Sequence, residues 1–123
     1  KVTIEARTLQ QMLSNQVLPS GLRYQGELAE IVASSQAVSI DCSRTSGRLS
    51  DIGLLTETLQ ASMEAIASAV DKSFDLPLQH AEFIRDTLLP EMASARIISD
   101  TLETIVPEDI WPLPTYTEML FIR

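Results

Sequence analysis

The stretch IEARTLQQMLSNQVLPSGLRYQGELAEIVASSQAV, residues 4–38, decides the fold. Leu9, Met12, Leu13 and Val17 recur at helical spacing before Pro19, and Tyr24, Leu28, Ile31 and Val32 recur after it. Val17 and Tyr24 are two helical turns apart, so one apolar face continues through the proline. Pro19 removes a helical hydrogen bond to the carbonyl of Asn15 and pushes the chain away from it. The expected result is a kink near Pro19, softened by Ser20 and Gly21, with helix on both sides. The alternative is two helices joined by a turn at residues 19–21. Helical throughout, the run would be about 50 Å long, which suggests an elongated bundle or an arm of something larger.

Outward from this run, size and composition agree with a bundle. The chain of 123 residues is one domain by length, and its 45% apolar content is enough to bury a core. Only six residues are aromatic, and four Gly with six Pro leave few turns, which disfavours a sandwich or barrel. The formal net charge of −8 argues against nucleic acid and against an anionic membrane surface. No apolar run approaches the roughly 20 residues of a membrane span. The one cysteine, Cys42, has no internal disulfide partner, which fits a reducing cytoplasm. The chain begins at Lys1 with sequence that already reads as ordered, as a segment of a longer protein would.

Residues 39–48 are polar and aperiodic and read as a loop that reverses the chain. Cys42 lies there with no histidine nearby in sequence, so it reads as an incidental thiol. A second helix is expected over residues 49–72, with Leu49, Ile52, Leu55, Leu59, Met63, Ile66 and Val70 forming its seam. Ala61, Ala65, Ala67 and Ala69 would let a neighbouring helix approach. Asp75 is the expected cap of a third helix, with Pro77 in its first turn. That helix is expected over residues 78–106, striped by Ala81, Ile84, Leu88, Met92, Ala95, Ile98, Leu102 and Ile105. Pro90 interrupts it without loss of phase, so a second kink is expected, and matching bends would keep two long helices in contact. The similar Val17-Leu18-Pro19 and Leu88-Leu89-Pro90 have unlike flanks and do not read as a repeat.

Few residues carry chemistry. His80 has no second histidine and no acidic constellation around it, and reads as a surface residue. Glu82 with Arg85, and Arg96 with Asp100, fit neighbours on an exposed helical face. Glu27, Glu30, Glu57 and Glu64 fall mainly opposite the apolar stripes and read as a solvated face. No catalytic, cofactor-binding or metal-binding residue is assigned, because there is no phosphate loop, no metal-ligand spacing and no nucleophile with a base. Pro107, Pro112 and Pro114 end the helical pattern, so residues 111–115 should be extended. Trp111, Tyr116, Met119, Leu120, Phe121 and Ile122 then form an apolar tail, expected to dock in the groove between the first and third helices. The fold expected is all-α: an elongated antiparallel bundle of three long helices, two of them proline-kinked, plus a proline-rich docked C-terminal tail.

Three stretches resemble a known family. They are Ile4-Glu5-Ala6-Arg7-Thr8-Leu9 with Val17-Leu18-Pro19 and Leu22-Arg23-Tyr24-Gln25-Gly26-Glu27-Leu28-Ala29; His80-Ala81-Glu82 with Arg85-Asp86 and Leu89-Pro90; and Trp111-Pro112-Leu113-Pro114-Thr115-Tyr116 with Glu118-Met119-Leu120-Phe121. Together they resemble the C-terminal region of type III glutamine synthetases. One departure is mild: Ser20-Gly21 follows Pro19 where small helix formers are expected. The resemblance implies a parent enzyme that condenses glutamate and ammonia using ATP and Mg²⁺ or Mn²⁺ through a glutamyl phosphate. The residues for that chemistry would lie upstream, so none is carried onto this chain. The implied role is scaffolding or subunit contact within a large cytoplasmic homo-oligomer, with the parent's catalytic domain and neighbouring subunits as partners. A stand-alone helical protein-interaction module is the alternative.

Overall fold

A computed structural model of the chain describes residues 1–113; among them there are three long helical rods and no strand. The first rod is α1 (Val2–Met12), a π-helical turn (Leu13–Val17) and α2 (Leu18–Ala37). The second is α3 (Ser43–Val70). The third is α4 (Pro77–Phe83), a second π-helical turn (Ile84–Leu88) and α5 (Leu89–Ile105). Residues 114–123, which hold Tyr116, Met119, Leu120, Phe121 and Ile122 of the expected docked tail, lie outside the described residues.

Helix runs without a break across both internal prolines. In the first rod the Leu18 N–H donates to the Leu13 carbonyl, and in the third the Leu89 N–H donates to that of Ile84. Each bond spans five residues instead of four, so the turn before each proline is one residue wider. This makes room where the proline ring would crowd a carbonyl of the preceding turn. Ser14 and Asn15 in one rod and Arg85 and Asp86 in the other are exposed, so backbone carbonyls deprived of a donor have water nearby.

The other ends of the rods follow local chemistry. Ser39 takes a left-handed conformation (φ 61°), and the Ser39 and Ile40 N–H groups donate to the Gln36 and Ser35 carbonyls. This closes the first rod as a Schellman-type cap. The expected loop over residues 39–48 ends early, because α3 already begins at Ser43. Asp41 Oδ1 accepts from both the Ser43 N–H and its hydroxyl, at 3.2 and 2.9 Å, and starts that helix. Residues 43–48 hid from periodicity because none of them is fully buried.

Asp75 does not cap the third rod. Leu76 is the N-cap instead, extended at φ −114°, ψ 136° and without a side-chain capping bond. Pro77 disfavours helical geometry in the residue before it and so fixes the boundary. Pro107 acts the same way at the far end, where Val106 is extended.

The core uses the expected stripes: Leu9, Leu13, Val17, Ile52, Leu59, Ile66, Leu88, Met92 and Leu102 are buried. The second rod differs from its expected seam, since Thr56 and Ser62 are buried while Leu55 and Met63 are only half-buried. A helix packed between two others needs a wider buried arc than a single seam provides. Ala61, Ala65 and Ala67 are exposed, so among those four small residues only Ala69 faces the core. Ile31 and Ala81 are likewise exposed.

Candidate functional site

The three rods meet at Gly21. A β-carbon there would stand 3.1 Å from Thr56 Cγ2 of the second rod and 3.7 Å from Leu102 Cδ2 of the third. Glycine therefore lets both neighbours approach the first rod's backbone.

Around this junction, three buried hydroxyls tie together elements distant in sequence. The Thr56 hydroxyl donates to Gln25 Oε1 at 2.7 Å, joining first and second. The Ser62 hydroxyl donates to Glu91 Oε1 at 2.7 Å, joining second and third. The Ser20 hydroxyl lies 2.9 Å from the Gln16 carbonyl and 3.1 Å from that of Ile110, joining the first rod to the segment after α5. All three hydroxyl residues are at most 6% exposed. Sequence reasoning passed over them because they are polar residues within apolar stripes; the signal was their helical spacing from Val17, Ile52 and Leu59.

Trp111 joins the same assembly. Its backbone N–H donates to the Pro107 carbonyl at 3.0 Å, and its ring is buried among core residues. The tail's first aromatic therefore packs on its own bundle. Its indole Nε1 has no hydrogen-bond partner among the described residues.

The two residues weighed for chemistry lie at opposite ends. Cys42 is half-buried before α3, with its Sγ 3.9 Å from the Val32 carbonyl. His80 lies beyond the other end of α3, exposed and stacked on Phe74 with ring centroids 5.5 Å apart. The 28 residues of α3 place them on the order of 40 Å apart, too far for a thiol–imidazole pair.

Charge is spread, not gathered. Arg85 pairs with Asp86 at 2.8 Å and not with the expected Glu82. The hydrogen bond from Arg85 holds the Asp86 carboxyl below its usual range, and Asp86 raises the guanidinium in turn. The expected pairing of Arg96 with Asp100 is not among the close ion pairs of the described residues. Arg7 reaches Asp71 at 3.8 Å across the first and second rods. Beside it, Gln10, Gln11 and Ser14 face Ala67 and Val70 across an open hollow of about 440 Å³. Among the described residues no three of His, Cys, Asp and Glu gather as a group that could hold a metal ion. No helix among them is long and apolar enough to cross a membrane.

The site is thus a packing junction, and its family is read from sequence. The pattern described as "Glutamine synthetase C-terminal domain" matches residues 1–36, nearly all of the first rod. The chain is 30% identical over 130 residues to a type-3 glutamine synthetase of Dictyostelium discoideum, a match that covers 99% of this chain. The chain belongs to the glutamine synthetase C-terminal domain family.

Two further glutamine synthetases agree. One from Butyrivibrio fibrisolvens is 28% identical over 98% of the chain, and one from Bacteroides fragilis is 27% identical over all of it. The chain spans 18% of the length of each of these three relatives. No solved structure gives a significant match.

Proposed function

We propose that this chain is the non-catalytic C-terminal domain of a longer glutamine synthetase, acting as a scaffold that contacts the catalytic domain and neighbouring subunits. The parent would join glutamate and ammonia at the expense of ATP, with Mg²⁺ or Mn²⁺ held by residues upstream of this chain. The observation that carries this reading is the mismatch of coverage: almost the whole chain aligns, yet it spans 18% of the relatives. A homo-oligomer in the cytoplasm is the setting this reading implies.

In that role the chain would be an elongated antiparallel bundle, with each π-turn bending its rod around the second. Arg7 meets Asp71 and Gln25 meets Thr56, so positions pair in reverse order along the first two rods, which supports this arrangement. A stiff bundle suits a scaffold, since side-chain ties from the second rod to both others resist sliding.

The test is to express the natural full-length gene product and the 123-residue chain side by side. The full-length protein should form glutamine from glutamate, ammonia and ATP, and the chain alone should neither form it nor bind ATP–Mg²⁺ in a calorimetric titration. Saturable nucleotide binding by the chain, or no synthetase activity in the longer product, would overturn the reading.

A further inference from the structure

Among the described residues nothing covers the outward face of α3. Ser50, Leu54, Thr58, Ala61, Ala65 and Ser68 recur along it at helical spacing, all exposed and none charged, in a chain of net charge −8. Ala61 and Ala65, expected to admit a neighbouring helix, lie here and not in the core. The Thr58 hydroxyl donates to the Leu54 carbonyl one turn back at 2.7 Å, so it needs no outside acceptor. Beside this face, Thr58, Ala61, Ser94, Ile97 and Ile98 surround a hollow of about 360 Å³ between the second and third rods. Leu54, 69% exposed, stands one turn from that hollow, and Ile97 on its rim is 65% exposed. A protruding leucine beside a hole lined by Ala61 and Ser94 has the complementarity of knobs-into-holes packing.

The charges on either side of the face select its occupant. Arg48 lies on the flank toward the third rod, where it lines a hollow with Thr104 and Ile105. Glu57 and Glu64 lie on the other flank, one and three turns beyond Gly53 in the row that meets Gln25 of the first rod. We propose that this face docks on the same face of a second copy of the chain, the two α3 helices antiparallel about a two-fold axis between Leu54 and Thr58. Such an axis sets each flank against the opposite flank of the other copy, with the chain direction reversed. Leu54 of each copy then enters the hollow of the other. Arg48 of each meets Glu64 of the other, because the two lie equally far from the axis. A parallel pairing would set Arg48 against Ser46 and Ser50 instead. Two chains this acidic repel each other, so an uncharged seam crossed by two ion pairs favours the antiparallel register. The inference rests on the homo-oligomer reading above and adds the surface of contact. One helix pair buries less than the roughly 1,200 Å² of a stable interface. Other contacts of the oligomer therefore hold the copies together, and this one forms at high effective concentration.

Thiol cross-linking in the full-length protein tests this directly. Thr58→Cys places a thiol near the axis in both copies, and a short bismaleimide should join them into a covalent dimer. Glu30→Cys, exposed on the far side of the first rod from the buried Leu28 and Val32, should not be joined. Arg48→Glu or Glu64→Arg alone should lower the Thr58→Cys cross-link at least about threefold, and the two together should restore it. Arg48 and Glu64 stand about 24 Å apart along one α3, so only another copy can make the restored pair. No cross-link in a full-length protein that makes glutamine would overturn the contact and leave the parent reading standing. A charge-dependent cross-link in a protein that makes no glutamine would support the contact while the parent reading falls. Cross-linking that ignores the charge changes, that the double variant fails to restore, or that Glu30→Cys matches would overturn it.

Discussion

Thr56 Oγ1 stands 2.7 Å from Gln25 Oε1, a direct hydrogen bond between the second and first rods across 31 residues of sequence. Thr56 is 1% exposed, so removing its hydroxyl leaves the Gln25 amide oxygen poorly served. Thr56→Val should lower unfolding free energy by about 1 kcal/mol, and a cycle with Gln25→Leu should give a coupling of about 0.5–1.5 kcal/mol. Urea denaturation of the four proteins measures it, and additive losses would show that the bond contributes nothing specific.

Gly21 sits where a β-carbon would meet a Thr56 methyl at 3.1 Å. Gly21→Ala sets a helix-propensity gain of about 1 kcal/mol against that crowding, so its net effect should be small. Gly21→Val adds branches with no space and should cost about 1–3 kcal/mol. A valine variant as stable as the parent would show that the rods are not in close contact there.

Ser39 holds a left-handed backbone at φ 61° and is exposed, so its side chain offers little in return. Ser39→Gly relieves that strain, while the freer unfolded chain takes back part of the gain. The expected net is a stabilisation of up to about 1 kcal/mol, seen as a raised thermal midpoint. A lowered midpoint would mean that the cap is not left-handed in solution.

Trp111 is the chain's only tryptophan and is 7% exposed, so fluorescence reports on it alone. Emission should be blue-shifted in the folded protein and shift to the red on unfolding. Trp111→Ala should cost about 3–5 kcal/mol. Trp111→Phe should cost much less, because it keeps an aromatic ring and removes an indole N–H that has no partner among the described residues. Solvent-like emission with an undiminished melting point in the alanine variant would mean that Trp111 does not pack on the bundle.

Leu18-Pro19, Leu76-Pro77 and Leu89-Pro90 separate what the sequence determined by itself from what the tertiary structure decided. The sequence alone determined helix as the element of the long runs before Pro107, because apolar residues recur there at a period that only a helix places on one face. It also marked the outer boundaries, since Pro77 and Pro107 hold Leu76 and Val106 extended as local sterics require. The same Leu-Pro pair at residues 18–19 and 89–90 does the opposite: Leu18 and Leu89 are fully helical, at φ −61° and −62°. No local rule separates these from Leu76-Pro77. The difference is that Leu13, Val17, Leu88 and Met92 bury helical faces beside the internal prolines, whereas Leu76 and Leu78 stay largely exposed. Burial of that apolar surface outweighs the pre-proline preference, and a widened turn absorbs the ring. The ties of Ser20, Thr56 and Ser62 were hidden for a related reason. A buried hydroxyl is stable only where its acceptor arrives, and Ile110, Gln25 and Glu91 arrive from distant sequence through packing alone.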